Sequence, residues 1–143
     1  MKRIVVLLSL SLLVLSSIKI SAQSNNKITS ENTIKSFITQ MYNEGLYEDY
    51  AFLQKHCSLE LLKKLQAAYP YDTDGVAYAT WLFRSGMQDV KPESDEKTTI
   101  LDIRNDGDWY TYTAVDMGWK FTKKIKVIIH MNKVVIVDML ITQ

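Results

Sequence analysis

Apolar residues recur along this chain with two different periods. In the first half they fall three and four positions apart, and in the second they alternate with polar ones. Ser30 stands before a stretch in which Ile34, Phe37, Ile38, Met41 and Tyr42 share one helical face, with Gly45 as the stop. Tyr47 to His56, with Tyr50, Phe52 and Leu53, predicts a short second helix. Ser58 opens a third, striped by Leu59, Leu62, Leu65, Ala68 and Tyr69 and ended by Pro70.

Pro70 to Gly75 is rich in turn formers. Val76 to Phe83 fits either a helical turn or an extended lid, and Lys91 to Lys97 is a charged connection containing Pro92.

Alternation begins at Thr98. Strands are predicted at Thr98 to Arg104, Trp109 to Met117, Trp119 to His130 and Val134 to Ile141. The links are Asn105-Asp106-Gly107-Asp108, whose Asn, Asp and Gly accept the positive φ of tight hairpins, a bend or short turn at Gly118, and a turn at Met131-Asn132 or its neighbours. In the third strand Trp119, Phe121, Ile125, Val127 and Ile129 fall on one side, and Lys120, Lys124 and Lys126 on the other. Helices followed by an antiparallel sheet define an α+β class. Phe37 and Trp119 are expected to be core residues from opposite layers, helix against sheet.

The amino terminus has another character. Lys2 and Arg3 precede an apolar run from Ile4 to Leu15, and Ile20-Ser21-Ala22 ends in a small residue. That order predicts a secretory signal over residues 1–22 with cleavage after Ala22, and so a periplasmic or secreted chain. The run is too short to span a bilayer as a helix, and no membrane span is expected in the mature chain. A lipid anchor is not expected either, because the single cysteine is Cys57. Residues 23–29 read as a flexible lead-in and 30–143 as one domain.

The signal holds three of the 17 basic residues and no acid. The remainder therefore carries 14 basic and 16 acidic side chains. So balanced a surface makes no electrostatic case for nucleic acid. One cysteine forms no internal disulfide, and Cys57 is either a small buried hydrophobe or a reactive or intermolecular thiol.

No metal or cofactor is expected. Asp72, Asp74 and Gly75 evoke a calcium loop, but its twelfth position is Trp81 rather than a bidentate acid. Asn105, Asp106 and Asp108 are hairpin residues. His56 and Cys57 are adjacent and diverge by about 100° on a helix, which disfavours a dyad, and His130 belongs to a turn.

With the opening helix, Tyr69-Pro70 before an acidic turn, Gln88-Asp89 before the sheet and a last hairpin through Val135-Ile136-Val137-Asp138, the chain resembles the cystatin-like, nuclear-transport-factor-two-like superfamily over residues 30–142. The resemblance implies a cone in which helices close over a bent sheet around a pocket. Its enzymes, ketosteroid isomerases and related dehydratases, place a carboxylate base or a His-Asp pair inside.

Asp102 and Asp116 are the strand acids in question here. Asp116 shares a side with Tyr110 and Tyr112, where an acid among aromatics would serve as a base; as an exposed acid it would instead pair with Lys120, Lys124 or Lys126. Candidate ligand-binding residues are Tyr42, Tyr78, Trp81, Phe83, Trp109 and Trp119, with Phe121 beside them. They line a pocket or fill a core. Tyr78 to Phe83 is the expected wall of the pocket.

The favoured expectation is an exported, non-enzymatic domain that binds a small molecule or an envelope protein. An isomerase- or dehydratase-like enzyme is the alternative. A second is an inhibitor or immunity-type protein, with Asp72 to Gly75 and Arg84 to Pro92 as its surfaces.

Overall fold

The computed structural model describes residues 26–68, 80, 82–84, 91–94 and 98–141. The chain divides into two units, Met1–Thr33 and Ile34–Gln143. The expected signal at residues 1–22, and Asp72, Asp74, Tyr78, Trp81 and Gln88-Asp89, lie outside the described residues.

A helix, α1, runs through residues 26–43. It is already formed at Asn26, so the expected lead-in to residue 29 and cap at Ser30 are both displaced. Ser30 Oγ donates back to Asn26 O at 2.9 Å, and Thr33 Oγ1 to Thr29 O at 2.9 Å. These hydroxyls bond the preceding helical turn instead of free amides. In the second unit Ile34, Ile38, Met41 and Tyr42 are buried, whereas Phe37 is half-buried at the margin of the core. Phe37 stacks on Phe52 at 5.8 Å and lies 5.1 Å from the His56 ring.

Gly45 at φ 67 turns the chain into a 3-10 turn, Leu46–Glu48. The stretch expected as one helix is thereby split. Asp49 divides it: its carboxylate accepts from Ala51 N at 2.8 Å and Phe52 N at 3.3 Å, which starts α2, Tyr50–His56. Ser58 caps α3, Leu59–Ala68, accepting from Leu61 N at 3.1 Å. The buried stripe of α3 is Leu61, Leu62 and Leu65, while Leu59 is 62% exposed and Ala68 is exposed too. Leu62 and Leu65 lie on the expected stripe, and Leu61 takes the place of Leu59 in it. Thr80, Leu82 and Phe83 are helical, and Phe83 is fully buried.

Four strands follow: β1, Thr99–Asp106; β2, Trp109–Asp116; β3, Trp119–His130; and β4, Lys133–Leu140. They form an antiparallel sheet in the order β1-β2-β3-β4. All three links are two-residue turns. Met117-Gly118 and Met131-Asn132 both have positive φ at each central residue, the requirement of a type I′ hairpin. Gly118 has a further constraint, because a Cβ there would meet Lys91 Cβ and Ser94 Cβ at 2.8 Å. The residue 91–94 turn rests on this hairpin, with Lys91 N donating to Met117 O at 3.1 Å and Lys91 Nζ lying 4.4 Å from the Trp119 ring centre.

The register sorts side chains between two faces. Tyr110, Tyr112, Ala114 and Asp116 of β2 face inward with Ile125 and Val127 of β3 and Ile136 and Met139 of β4. Trp119 and Phe121 are half-buried on that side. Ile129, assigned to the core by alternation, is 39% exposed near the end of β3. Bulges between Ile100 and Asp102 and between Lys126 and Val127 reset the phase of the outer strands.

Candidate functional site

The inner face carries two chains of hydroxyls. Tyr42 donates to Phe83 O at 2.6 Å, so its oxygen accepts from the Tyr112 hydroxyl at 2.7 Å. Both tyrosines are fully buried, and burial raises the pKa of each. In the second chain Thr98 Oγ1 donates to Asp116 Oδ1 at 3.1 Å, so Tyr47, 3.0 Å away, donates to Thr98. Burial raises the Tyr47 pKa, its bond to Thr98 works against that, and the Asp116 charge adds to it.

Asp116 is only 2% exposed. This corrects the reading of Asp116 as an exposed acid paired with a lysine of β3. Its cross-strand neighbour is Trp119, and Lys120, Lys124 and Lys126 point to the other face. Lys123 does lie on the inner side, opposite Tyr112, where burial lowers its pKa. Nothing in the spacing had singled it out.

The aromatic candidates separate. Tyr42 and Phe83 are packed and bonded in the core, next to Tyr47 at 4.7 Å from the Tyr42 ring. Trp119 shares the inner face, opposite Asp116. Trp109 sits opposite Lys126 on the outer face, with Lys124 Nζ 5.6 Å from its ring. The two indoles therefore emerge on opposite sides of the sheet and line no common concavity.

The groups with nucleophilic chemistry are built into the structure. Cys57 is buried, and burial pushes its thiol up to about 12, which leaves it protonated at neutral pH. His56 Nδ1 lies 2.9 Å from Val134 O. Asp102 is held by Arg104 at 2.7 Å on the exposed surface, and His130 is exposed at the end of β3. Among the described residues no three acids, histidines or cysteines gather as a metal site, and no helix is long and apolar enough to cross a membrane.

A cleft of about 410 Å³ opens between α3 and the sheet, lined by Glu60, Leu61, Lys64, Lys126, Val137 and Asp138. The bulge at the end of β4 shapes it: Lys126 still faces Asp138, whereas Val127 faces Ile136, so Val137 is the extra residue. Lys64 Nζ bonds Asp138 Oδ1 at 2.6 Å and Met139 O at 2.8 Å. The Lys64 bond is the largest cause of a lowered Asp138 pKa, offset in part by burial and helped by the Met139 amide. Cross-strand pairing continues this row outward as Asp138, Lys126, Trp109 and Asp106. Lys126 also lies 3.8 Å from Asp108, and Lys124 3.8 Å from Asp106.

The outcome is an open cleft of mixed charge that leads to an outward tryptophan. Lys64, Glu60 and Val137 were not legible as site residues, because α3 and β4 meet across some 75 positions of sequence. Comparison with known proteins finds no matching family model, curated protein or solved structure.

Proposed function

We propose that this chain is an exported binding domain, cystatin-like in descent and directed outward by the signal at residues 1–22, that engages a protein partner through the outer face of its sheet. The observation that carries the reading is the row running from the α3–β4 cleft through Lys126 to Trp109. A half-exposed tryptophan beside paired charges is the composition of an interface anchor with a polar rim. The cleft volume falls in the range that admits a side chain or short segment of a partner. The inner aromatics support the same reading, since the hydroxyls of Tyr42 and Tyr112 are committed to each other and to Phe83.

A photo-crosslinking residue at position 111, two along from Trp109 on the outer face, tests this in intact cells. It should capture one discrete partner outside the cytoplasm, and Lys126→Glu should abolish the capture. The same probe at the exposed tip residue Met131 should capture none. Equal capture from both positions, or none from position 111, would contradict the proposal.

A second reading rests on Asp116. A buried carboxylate within a chain of hydroxyls from Tyr47 and Thr98 is an arrangement that an isomerase or dehydratase would use as a base. A turnover that Asp116→Asn abolishes without loss of fold would establish it.

A further inference from the structure

The two edges of the sheet are treated differently. Along β4 the carbonyls of the free edge are covered: His56 Nδ1 reaches Val134 O, Ser58 N bonds Ile136 O at 2.8 Å, Ser58 Oγ bonds Val137 O at 3.3 Å and Lys64 takes Met139 O. Cys57 forms a parallel bridge with Ile136. Among the described residues nothing pairs with the far side of β1, the other terminal strand. Leu101 is 54% exposed, and Thr99, Asp102, Arg104 and Asp106 are exposed as well.

The backbone of β1 has a definite parity. In a two-residue hairpin the closing pair, here Asp106 and Trp109, exchanges backbone bonds, and bonded pairs recur at every second position. Asp106, Arg104 and Asp102 therefore turn their backbone groups toward β2. Ile103 and Asn105 turn theirs outward, where a further strand would bond them.

The charges on β1 complement themselves. Asp102 and Arg104 lie on one face, 2.7 Å apart. An antiparallel copy related by a two-fold axis at Ile103 places Arg104 of the second copy opposite Asp102, and Asp102 of the second copy opposite Arg104. Both positions are non-bonded pairs, in which side chains approach most closely. Four charges of alternating sign then occupy the corners of a square. Leu101, the exposed apolar residue of the bulge, falls opposite Asn105.

We propose that β1 is an interface for a second copy of this chain, which joins edge to edge through residues 101–105 in an isologous antiparallel pair centred on Ile103. The contact uses main-chain bonds for affinity and the Asp102–Arg104 square for register. It adjoins the outer face at Arg104, the cross-strand neighbour of Thr111, and leaves Trp109, Lys126 and the cleft accessible, so the mass of a product crosslinked at position 111 tells a second copy from a different partner.

Sedimentation equilibrium of the purified protein from micromolar to millimolar concentration tests the pairing. The wild type should pass from monomer to dimer mass. Arg104→Asp and Asp102→Arg each place like charges opposite one another twice in the symmetric dimer, and each should weaken association by about tenfold or more. The double exchange Asp102→Arg with Arg104→Asp should restore it. Because both side chains are solvent-exposed, circular dichroism should confirm an unchanged fold in every variant. A wild type that stays monomeric throughout would overturn the proposal. So would a dimer indifferent to the single exchanges, or one that the double exchange fails to rescue.

Discussion

The inner and outer faces of the sheet are built from the same alternating strands and solve different problems. On the inner face every buried side-chain nitrogen and oxygen among the described residues has a partner. Tyr42, Tyr112 and Phe83 are packed to near-complete exclusion of water, and their hydroxyl and carbonyl groups close on one another. The outer face offers threonines, lysines and Trp109, with ion pairs at 3.8 Å and a Thr113–Thr122 hydroxyl contact at 3.1 Å. Burial makes the first face costly to change, while the second keeps its groups in water, where pairing contributes little to folding and much to recognition.

The largest expected effect lies inside. Phe83→Ala removes a fully buried ring and withdraws support from the carbonyl that holds Tyr42. Chemical denaturation should show a loss of about 3–5 kcal/mol. A loss below about 1 kcal/mol would mean that the inner face is not a packed core.

Asp116 sharpens the contrast next. Asp116→Ala leaves the Thr98 hydroxyl without its acceptor and should cost about 1–3 kcal/mol, whereas Asp116→Asn keeps an oxygen in place and should cost less. Equal losses from both would show that the charge, rather than the acceptor, is what the fold requires.

The smallest stability effect is on the outer side. Lys64 holds the Asp138 carboxyl below its ordinary range, so this pair stabilises the fold above the unfolded pKa of about 3.9 and the contribution is lost as pH falls toward the folded value. Both side chains are more than a third exposed, and the pair should contribute less than about 1 kcal/mol. In an NMR titration, Lys64→Ala should move the Asp138 midpoint upward. An unmoved midpoint would remove Lys64 from the cleft.

The legible part of this molecule was local. Ser58 as a cap, Gly45 as a stop, the three hairpin turns and the alternation of β3 follow from residues within a few positions of one another. On α3 the centre of the stripe, Leu62 and Leu65, was legible, but its margin was not, because Leu59 and Leu61 flank the same face and only packing in the folded chain chooses between them. The side taken by Asp116 was left open for a similar reason. In β2 the series Trp109, Thr111, Thr113, Val115 is as apolar as Tyr110, Tyr112, Ala114, Asp116, so the strand carries no clear signal of which side the helices cover. The strongest clue available was that Asp116 shares its parity with two tyrosines. Covering the β4 edge with His56, Ser58 and Lys64 is a long-range arrangement with no sequence pattern of its own.

Trp109→Ala is the most direct test of whether recognition lies on the outer face. Its denaturation midpoint should be measured together with partner capture by a crosslinker at position 111. A stability loss under about 1 kcal/mol with capture abolished is the expected result, because a half-exposed interface anchor supports binding more than folding. A loss of several kcal/mol, or capture that persists undiminished, would contradict it and return attention to the inner face.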